Sequence, residues 1–231
     1  MQIAQNGPIP NKILASLSAS QLSRIARSSE LVPMKFGAII HDPGKRISHV
    51  YFPTGCSISM LTMAGAEQMS EVGLIGYEGV VGLGVALGSH LSPFRALVQG
   101  EGFARRMKVS DFRTEFERNG VFQKAIFRFA HGFMIQSSQT TACNRFHQTA
   151  QRLARWLPMT QDRVKSPHFQ LTQAFLGYML ATRRVAITEA AMALQKKKLI
   201  SYSRGNISVL DRPGLEHAAC SCYATVKAQA A

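Results

Sequence analysis

Two adjacent arginines, Arg183 and Arg184 in "ATRRVAIT", fall between two apolar-periodic segments, where a helix begins. A guanidinium at such a place has three uses. It can point into water, hold an anion in a pocket, or enter a nucleic-acid groove, where it donates paired hydrogen bonds to guanine or binds phosphate. The dipole at a helix N-terminus adds attraction for phosphate. Lys196, Lys197 and Lys198 form a second cationic group. In the last turn of a helix they suit phosphate, or equally the carbonyl end of the dipole and solvent.

Other residues with chemical capability carry weaker signals. Cys220-x-Cys222 lacks the spacing of a CxxC redox or zinc pair, so no metal site is expected there. His41 and Asp42 in "HDPG" could serve as acid and base, but sequence neighbours seldom face one substrate, and the stretch reads better as a turn. In "GLIGYEGVVGLGVALG", Gly82-Leu83-Gly84 invites comparison with a phosphate-cradling loop. No Lys-Ser/Thr follows it and the dinucleotide-binding spacing is incomplete, so turns and close backbone approaches account for these glycines.

The elements around these residues must position them. At 231 residues the chain fits one large domain or two small ones. Its net charge of +14 favours polyanionic partners such as DNA, RNA or an anionic membrane surface. From Ala142 onward, 13 Lys+Arg face 4 Asp+Glu, a net of +9; the first 141 residues hold 14 and 9, a net of +5. No apolar run approaches the roughly 18 residues that cross a bilayer. The opening "MQIAQNGPIP" has no basic n-region or apolar h-region, and the four cysteines are too scattered for a disulfide framework. A reduced, cytoplasmic protein is expected.

Ser18 followed by Gln21 is a capping-box pattern for a short helix. From about Met34 to Val109, short runs such as "ISHVYF", "CSISMLTM" and "FARRMKV" alternate with Gly and Pro, as in a β-sandwich or roll. A short helix follows to Arg118, then a long one from Val121 to about Phe146. On it Phe122, Ile126, Phe129 and Phe133 keep 4-3-4 spacing, continued by Gln136, Thr140 and Cys143. That register suits a coiled-coil dimer seam, or a helix packed on its own domain. Another helix runs from Thr149 to Asp162, where Pro158 can end or kink it and Trp156 is read as core.

Thr172 can cap a helix through "QAFLGYML". After a break at Ala181-Thr182, a second helix carries Ile187, Ala190, Ala191 and Leu194 on one face. Arg184, Val185, Thr188, Glu189 and Met192 hold the other. "LISYSRGNISVL" then reads as a hairpin turning at Arg204-Gly205-Asn206. Helix, tight turn, helix and hairpin together make a winged helix-turn-helix, which gives the arginines their use at the groove-entering end of a recognition helix.

With these residues placed, the chain resembles the Crp/Fnr family of bacterial transcription regulators. The resemblance is strongest over "LTQAFLGYMLATRRVAITEAAMALQKKKLISYSRGNISVLD" and extends to "QRLARWL", "HVYFPTGCSISML" and the glycine-rich segment. It implies an α+β chain: a cyclic-nucleotide-binding-like sensor β-roll over residues 1–118, a dimerisation helix over 119–147 and a winged helix-turn-helix over 148–231. It further implies that Arg184 reads a guanine, that Thr172 and Gln173 hold backbone phosphates, and that Val185 and Glu189 stand at base- or phosphate-contacting positions.

Several departures qualify the resemblance. Ala181 stands where many members turn on Gly, and Val185 replaces a frequent Glu. Leu83 falls at the ribose-binding Glu and Phe94 at the phosphate-binding Arg, with Arg95 one residue on. The cysteine cluster of iron–sulfur sensors is missing from the N-terminus. The expected protein is therefore a non-enzymatic homodimer that binds double-stranded DNA through Thr172, Gln173, Arg183, Arg184, Val185, Thr188, Glu189 and Arg204. It would dimerise through Phe122, Ile126, Phe129 and Phe133 and work with RNA polymerase, without cofactor, metal or membrane. Its effector pocket at Gly82, Leu83, Phe94 and Arg95 is expected not to bind cyclic AMP, but to take another small molecule or none. An RNA-binding adaptor and a nucleotide-using enzyme are the rival readings.

Overall fold

The structure is a computed structural model that describes residues 11–65 and 68–230. The decapeptide read above as no signal lies outside the described residues. Helices α1 (Lys12–Ala15) and α2 (Ala19–Arg27) lead into seven strands: β1 (Ser29–Met34), β2 (Ile39–His41), β3 (His49–Pro53), β4 (Ser57–Met63), β5 (Met69–Ile75), β6 (Arg95–Gly100) and β7 (Gly102–Lys108). They form two antiparallel sheets, β1-β7-β3 and β2-β6-β4-β5. α2 opens with the expected capping box, Ser18 and Gln21 each accepting from the other's backbone. In β7, Ala104 and Met107, on opposite faces of the strand, are both buried, in two different cores. Both faces of this central strand are covered, so neither side stays polar throughout.

After α3 (Val109–Phe116), the long helix α4 (Val121–Phe146) lies against the roll. Phe122 and Ile126 join a core with Phe52 and Phe112. Phe129 and Phe133 fill places where Gly79 and Gly73 have no side chain; a Cβ at either glycine would overlap the facing ring. The expected dimer seam is thus corrected. Phe122, Ile126, Phe129 and Phe133 are knobs on the protomer's own roll, with Ile126 fully buried and Phe122 3% exposed. The polar continuation of that register has its own partners. Gln136 Oε1 accepts from Leu74 N at 2.7 Å and its Nε2 donates to Leu74 O at 3.2 Å, which pairs a peptide group on edge strand β5.

The apolar residues that α4 leaves in the open are others: Val121 and Phe146 at its ends, and between them Phe127 at 47% exposure and Met134 at 67%. With Ala130, Ser137 and Thr141 the last two repeat at 3-4 spacing along a neighbouring stripe. Among the described residues, no helix is long and apolar enough to cross a membrane.

Helix α5 (Thr149–Val164) runs through Pro158 without ending there. Residues 152–160 are all buried, and tertiary packing outweighs the backbone hydrogen bond that proline forfeits. α5 joins roll to remainder through one core holding Leu61 of β4 together with Leu153, Trp156 and Leu157. Strand β8 (His168–Gln170), helices α6 (Gln173–Met179) and α7 (Arg184–Lys196), and strands β9 (Ile200–Ser203) and β10 (Asn206–Val209) follow. α8 (Arg212–Ala218) and α9 (Cys222–Ala230) close the chain.

At the join, Trp156 Nε1 donates to Glu71 Oε1 at 3.0 Å. Ser59 Oγ lies 2.6 Å from Glu71 Oε2 and 3.0 Å from Gln99 Oε1, and Gln99 Nε2 donates to Thr160 Oγ1 at 3.4 Å. A hydroxyl has one hydrogen to give, and here it meets two acceptors. A protonated Glu71 resolves this by donating to Ser59, which then donates to Gln99. Burial, opposed by the bonds from Ser59 and Trp156, pushes Glu71 up from 4.5 to about 7. Because the folded value is raised, the fold favours the neutral carboxyl. Its contribution is full below the unfolded value of 4.5 and is lost as pH rises through about 7. Unfolding in urea at about pH 5 and about pH 8 should therefore show wild type losing ~2–3 kcal/mol more than Glu71→Gln over that range. Parallel pH dependences in the two proteins would contradict a neutral Glu71.

Candidate nucleic-acid interface

The recognition unit is built from α6, the turn after it and α7. Thr172 Oγ1 accepts from Phe175 N at 3.2 Å and caps α6 as expected. The turn closes with Thr182 N donating to Gly177 O at 3.0 Å. It requires Ala181 at φ +43°, in the left-handed region where a Cβ is strained. α7 buries Ile187, Ala190, Ala191 and Leu194 against the core that holds Trp156 and Leu176. Its outer face presents Arg184, Val185, Glu189 and Met192, all exposed, and a half-buried Thr188.

Arg183 is the N-cap of α7, with no side-chain cap bond, and is exposed. Arg184 Nε donates to Gln173 Oε1 at 3.1 Å, so the first turn of α7 is tied to the first turn of α6. That bond occupies Nε and orients the guanidinium, whose two terminal nitrogens project from an exposed residue. Thr188 Oγ1 donates to Arg184 O at 3.2 Å.

The hairpin of β9 and β10 turns at Arg204 and Gly205, both with positive φ. The exposed Arg204 thus stands at its tip. Tyr202 anchors the hairpin: its hydroxyl donates to Leu171 O at 3.0 Å and its N to Gln195 Oε1 at 2.8 Å. A third strand, β8, pairs with β10. Three residues are too few for periodicity to announce a strand.

Not all the basic residues counted from Ala142 onward face solvent. Arg152, Arg155 and Arg163 are buried in α5, and Arg163 Nε is paired with Glu78 at 2.8 Å. Lys196, Lys197 and Lys198 are exposed at the far end of the 13-residue α7, roughly 20 Å from Arg184. That distance sets them apart from whatever the first turn of α7 contacts.

In the roll, a cavity of about 410 Å³ opens between the sheets and α4. Gly82, Leu83, Phe94, Phe133 and Met134 are among its lining residues. Arg95 does not line it. Its Nε pairs with Asp42 Oδ1 at 2.7 Å, as expected for a residue on the other side of the strand from Phe94. His41 lines the same cavity, and its Nε2 bonds His49 O at 3.0 Å. His41 and Asp42 therefore have separate partners and do not act on one another.

A group that spacing alone passed over is a cluster of Cys143, His147, Cys220 and Cys222, whose ligand atoms all lie within 4.8 Å of one another. A signal for it exists in the sequence. Cys143 and His147 stand four apart on one helix, a spacing that places both on one face.

Residues 151–218 match the family described as the Crp-like helix-turn-helix domain. The fold is similar over most of the chain to several solved structures. One is FixK2 from Bradyrhizobium japonicum (TM-score 0.70, 12% identity, covering 84% of this chain and 98% of that one). Another is the c-di-GMP-responsive global regulator CLP of Xanthomonas campestris (0.68, 13%, 83% and 99%). A third is a CRP/FNR-family transcriptional regulator from Thermus thermophilus (0.67, 15%, 82% and 98%). No curated protein matches the chain by sequence.

The strained turn gives a direct test. Ala181 is exposed, so glycine there removes little packing while relieving the left-handed backbone. Ala181→Gly should stabilise the protein by about 0.5–1 kcal/mol, read as a higher urea midpoint at unchanged slope. A lower midpoint would mean that the turn is not held as described.

Proposed function

From a chain of the Crp/Fnr transcription-regulator type, carrying a Crp-like helix-turn-helix domain, we propose a homodimer that reads duplex DNA with α7 in the major groove. The observation that carries this is Arg184. It sits exposed in the first turn of α7, oriented by Gln173, on a helix whose opposite face is fully committed to the core. Arg184 is the base-reading residue in this proposal, with Val185, Thr188 and Glu189 beside it on the groove face. Thr172, Gln173 and Arg183 approach the backbone at the helix starts, where peptide N–H groups favour phosphate. Arg204 on the wing reaches the adjacent backbone. Promoter binding of this kind acts on RNA polymerase, in the cytoplasm.

The exposed stripe of α4 takes the place of the seam expected from sequence. Two copies meeting along Phe127, Met134 and Thr141 would present two α7 helices about one DNA turn, roughly 34 Å, apart. The sensor cavity is apolar and offers no cation at Phe94 or Arg95, because Arg95 is held by Asp42. A buried phosphate without a partner costs several kcal/mol. The cavity therefore suits an uncharged small molecule, or none, rather than cyclic AMP.

Selection of bound DNA from a random duplex library tests the function and returns the half-site and its symmetry. With that site in hand, Arg184→Ala should weaken specific binding by ~1–3 kcal/mol and relax specificity at one position. Equal loss on random DNA would make Arg184 a phosphate contact, and preference for structured RNA would favour the adaptor reading instead. For the dimer, Met134→Glu should yield folded monomers with weak DNA binding. Phe129→Glu should instead lower the melting temperature, since its ring fills the space over Gly79. A Met134→Glu protein that stays dimeric in light scattering would place the interface elsewhere.

A further inference from the structure

Where the end of α4 meets the start of α9, four side chains from distant parts of the chain converge. Cys143 Sγ lies 3.4 Å from Cys220 Sγ, and Cys222 Sγ lies 3.4 Å from His147 Nδ1. The three cysteines are buried and His147 is half-buried. A tetrahedral zinc ion with bonds of about 2.3 Å to sulfur and about 2.0 Å to nitrogen spaces its ligand atoms roughly 3.5–3.8 Å apart. The mutual separations here, all within 4.8 Å, close on that tetrahedron with sub-ångström side-chain adjustment.

We propose that Cys143, His147, Cys220 and Cys222 hold one zinc ion per chain, a Cys₃His structural site that fastens α9 to the end of α4.

The cluster's surroundings separate this from chance packing of apolar thiols. Arg152 and Arg155 are buried, at 6% and 3% exposure, and both act electrostatically on the cysteines. Arg152 Nε and Nη2 and Arg155 Nε are buried without a hydrogen-bond partner. Two buried cations beside neutral thiols are poorly compensated. Zinc with three thiolates and a neutral imidazole carries net −1, which compensates them in part. Those free N–H groups are also donors of the kind that bond metal-bound sulfur. Gln139 is already so placed, its Nε2 donating to Cys222 Sγ at 3.0 Å. Binding zinc displaces the thiol protons to solvent, with no change in oxidation state. A set of three thiolates and an imidazole with no open position is the donor choice of structural zinc and is poor for magnesium or calcium.

The consequence is mechanical. Cys143 belongs to α4 and His147 caps it, whereas Cys222 begins α9 and Cys220 lies just before it. The ion would tie the C-terminal helix to the base of α4 between positions 77 apart in sequence, Cys143 and Cys220.

The full-length protein, reduced and stripped with a chelator, would be titrated with Co²⁺ as a spectroscopic probe and then with Zn²⁺. The expected result is one equivalent bound, with thiolate-to-cobalt charge-transfer and tetrahedral d–d bands that Zn²⁺ displaces. Cys143→Ser and Cys220→Ser should abolish these bands. His147→Ala at the helix end is the safer variant for folding. It should keep the circular dichroism of wild type and weaken zinc by at least about tenfold, since losing even an outer-sphere partner costs about 10–100-fold. Absence of thiolate bands in the reduced wild-type protein would overturn the site. So would bands that survive in both serine variants, or a Cys143–Cys220 disulfide as the resting state under reducing conditions.

Discussion

Helix α5 is the part on which the two ends of this molecule depend. Its residues 152–160 are buried all round, facing the β-roll on one side and the recognition unit on the other. A helix so enclosed cannot turn a polar face to water, so its polar side chains are stable only with partners inside, which Arg152 and Arg155 lack in part. Trp156 finds Glu71, Thr160 finds Gln99, and Arg163 finds Glu78, all from the roll. On the other side, Arg212 of α8 reaches Asp162 Oδ1 at 2.8 Å and Gln161 Oε1 at 2.9 Å. These bonds join the β-roll and the helix-turn-helix into one packed unit, where a bare linker would have left each to move by itself.

The long helix α4 shows why a heptad pattern does not name its own partner. Phe122, Ile126, Phe129 and Phe133 satisfy the spacing of a dimer seam, yet they pack within the same chain, the first two against Phe52 and Phe112 and the last two on glycines. The pattern records only that one face of a helix is apolar; whether sheet or second helix covers it depends on Gly73 and Gly79, some fifty residues earlier, which leave holes of the right size. By contrast, the recognition unit was readable because its determinants are local. The Thr172 cap, the break at Ala181, the apolar face from Ile187 to Leu194 and the wing turn at Gly205 all lie within 34 residues.

The same distinction between local and distant explains the sensor and the cysteines. Phe94 directly precedes β6 and Arg95 opens it, and these neighbours separate into cavity wall and Asp42 partner, as the one-residue offset in the sequence predicts. Cys220-x-Cys222 by itself has the wrong spacing for a metal pair. It gains a meaning only when α9 packs back on α4 and brings in Cys143 and His147, a contact no window on the chain can contain. Likewise, the positive charge counted along the last third overstates the cationic surface, because Arg152, Arg155 and Arg163 are spent inside α5.

α4 also brings three of these features onto one rod. Ala130 and Met134 line the sensor cavity, and Met134 is at the same time exposed on the stripe assigned to the dimer. About six to seven turns from its N-terminus, Cys143 and His147 face the C-terminal helix. In the proposed dimer, a molecule entering the cavity would touch the same helical turn that touches the partner subunit. Because packed interiors yield by discrete shifts rather than by continuous deformation, a change at that turn moves α4 as a body. In the proposed regulator α7 would follow through α5, which is bonded to the roll at Glu71 and Glu78. In that proposal a molecule in the cavity would not need to approach α7 to change where Arg184 points; it would have only to be larger or smaller than the space that Phe94, Phe133 and Met134 now share.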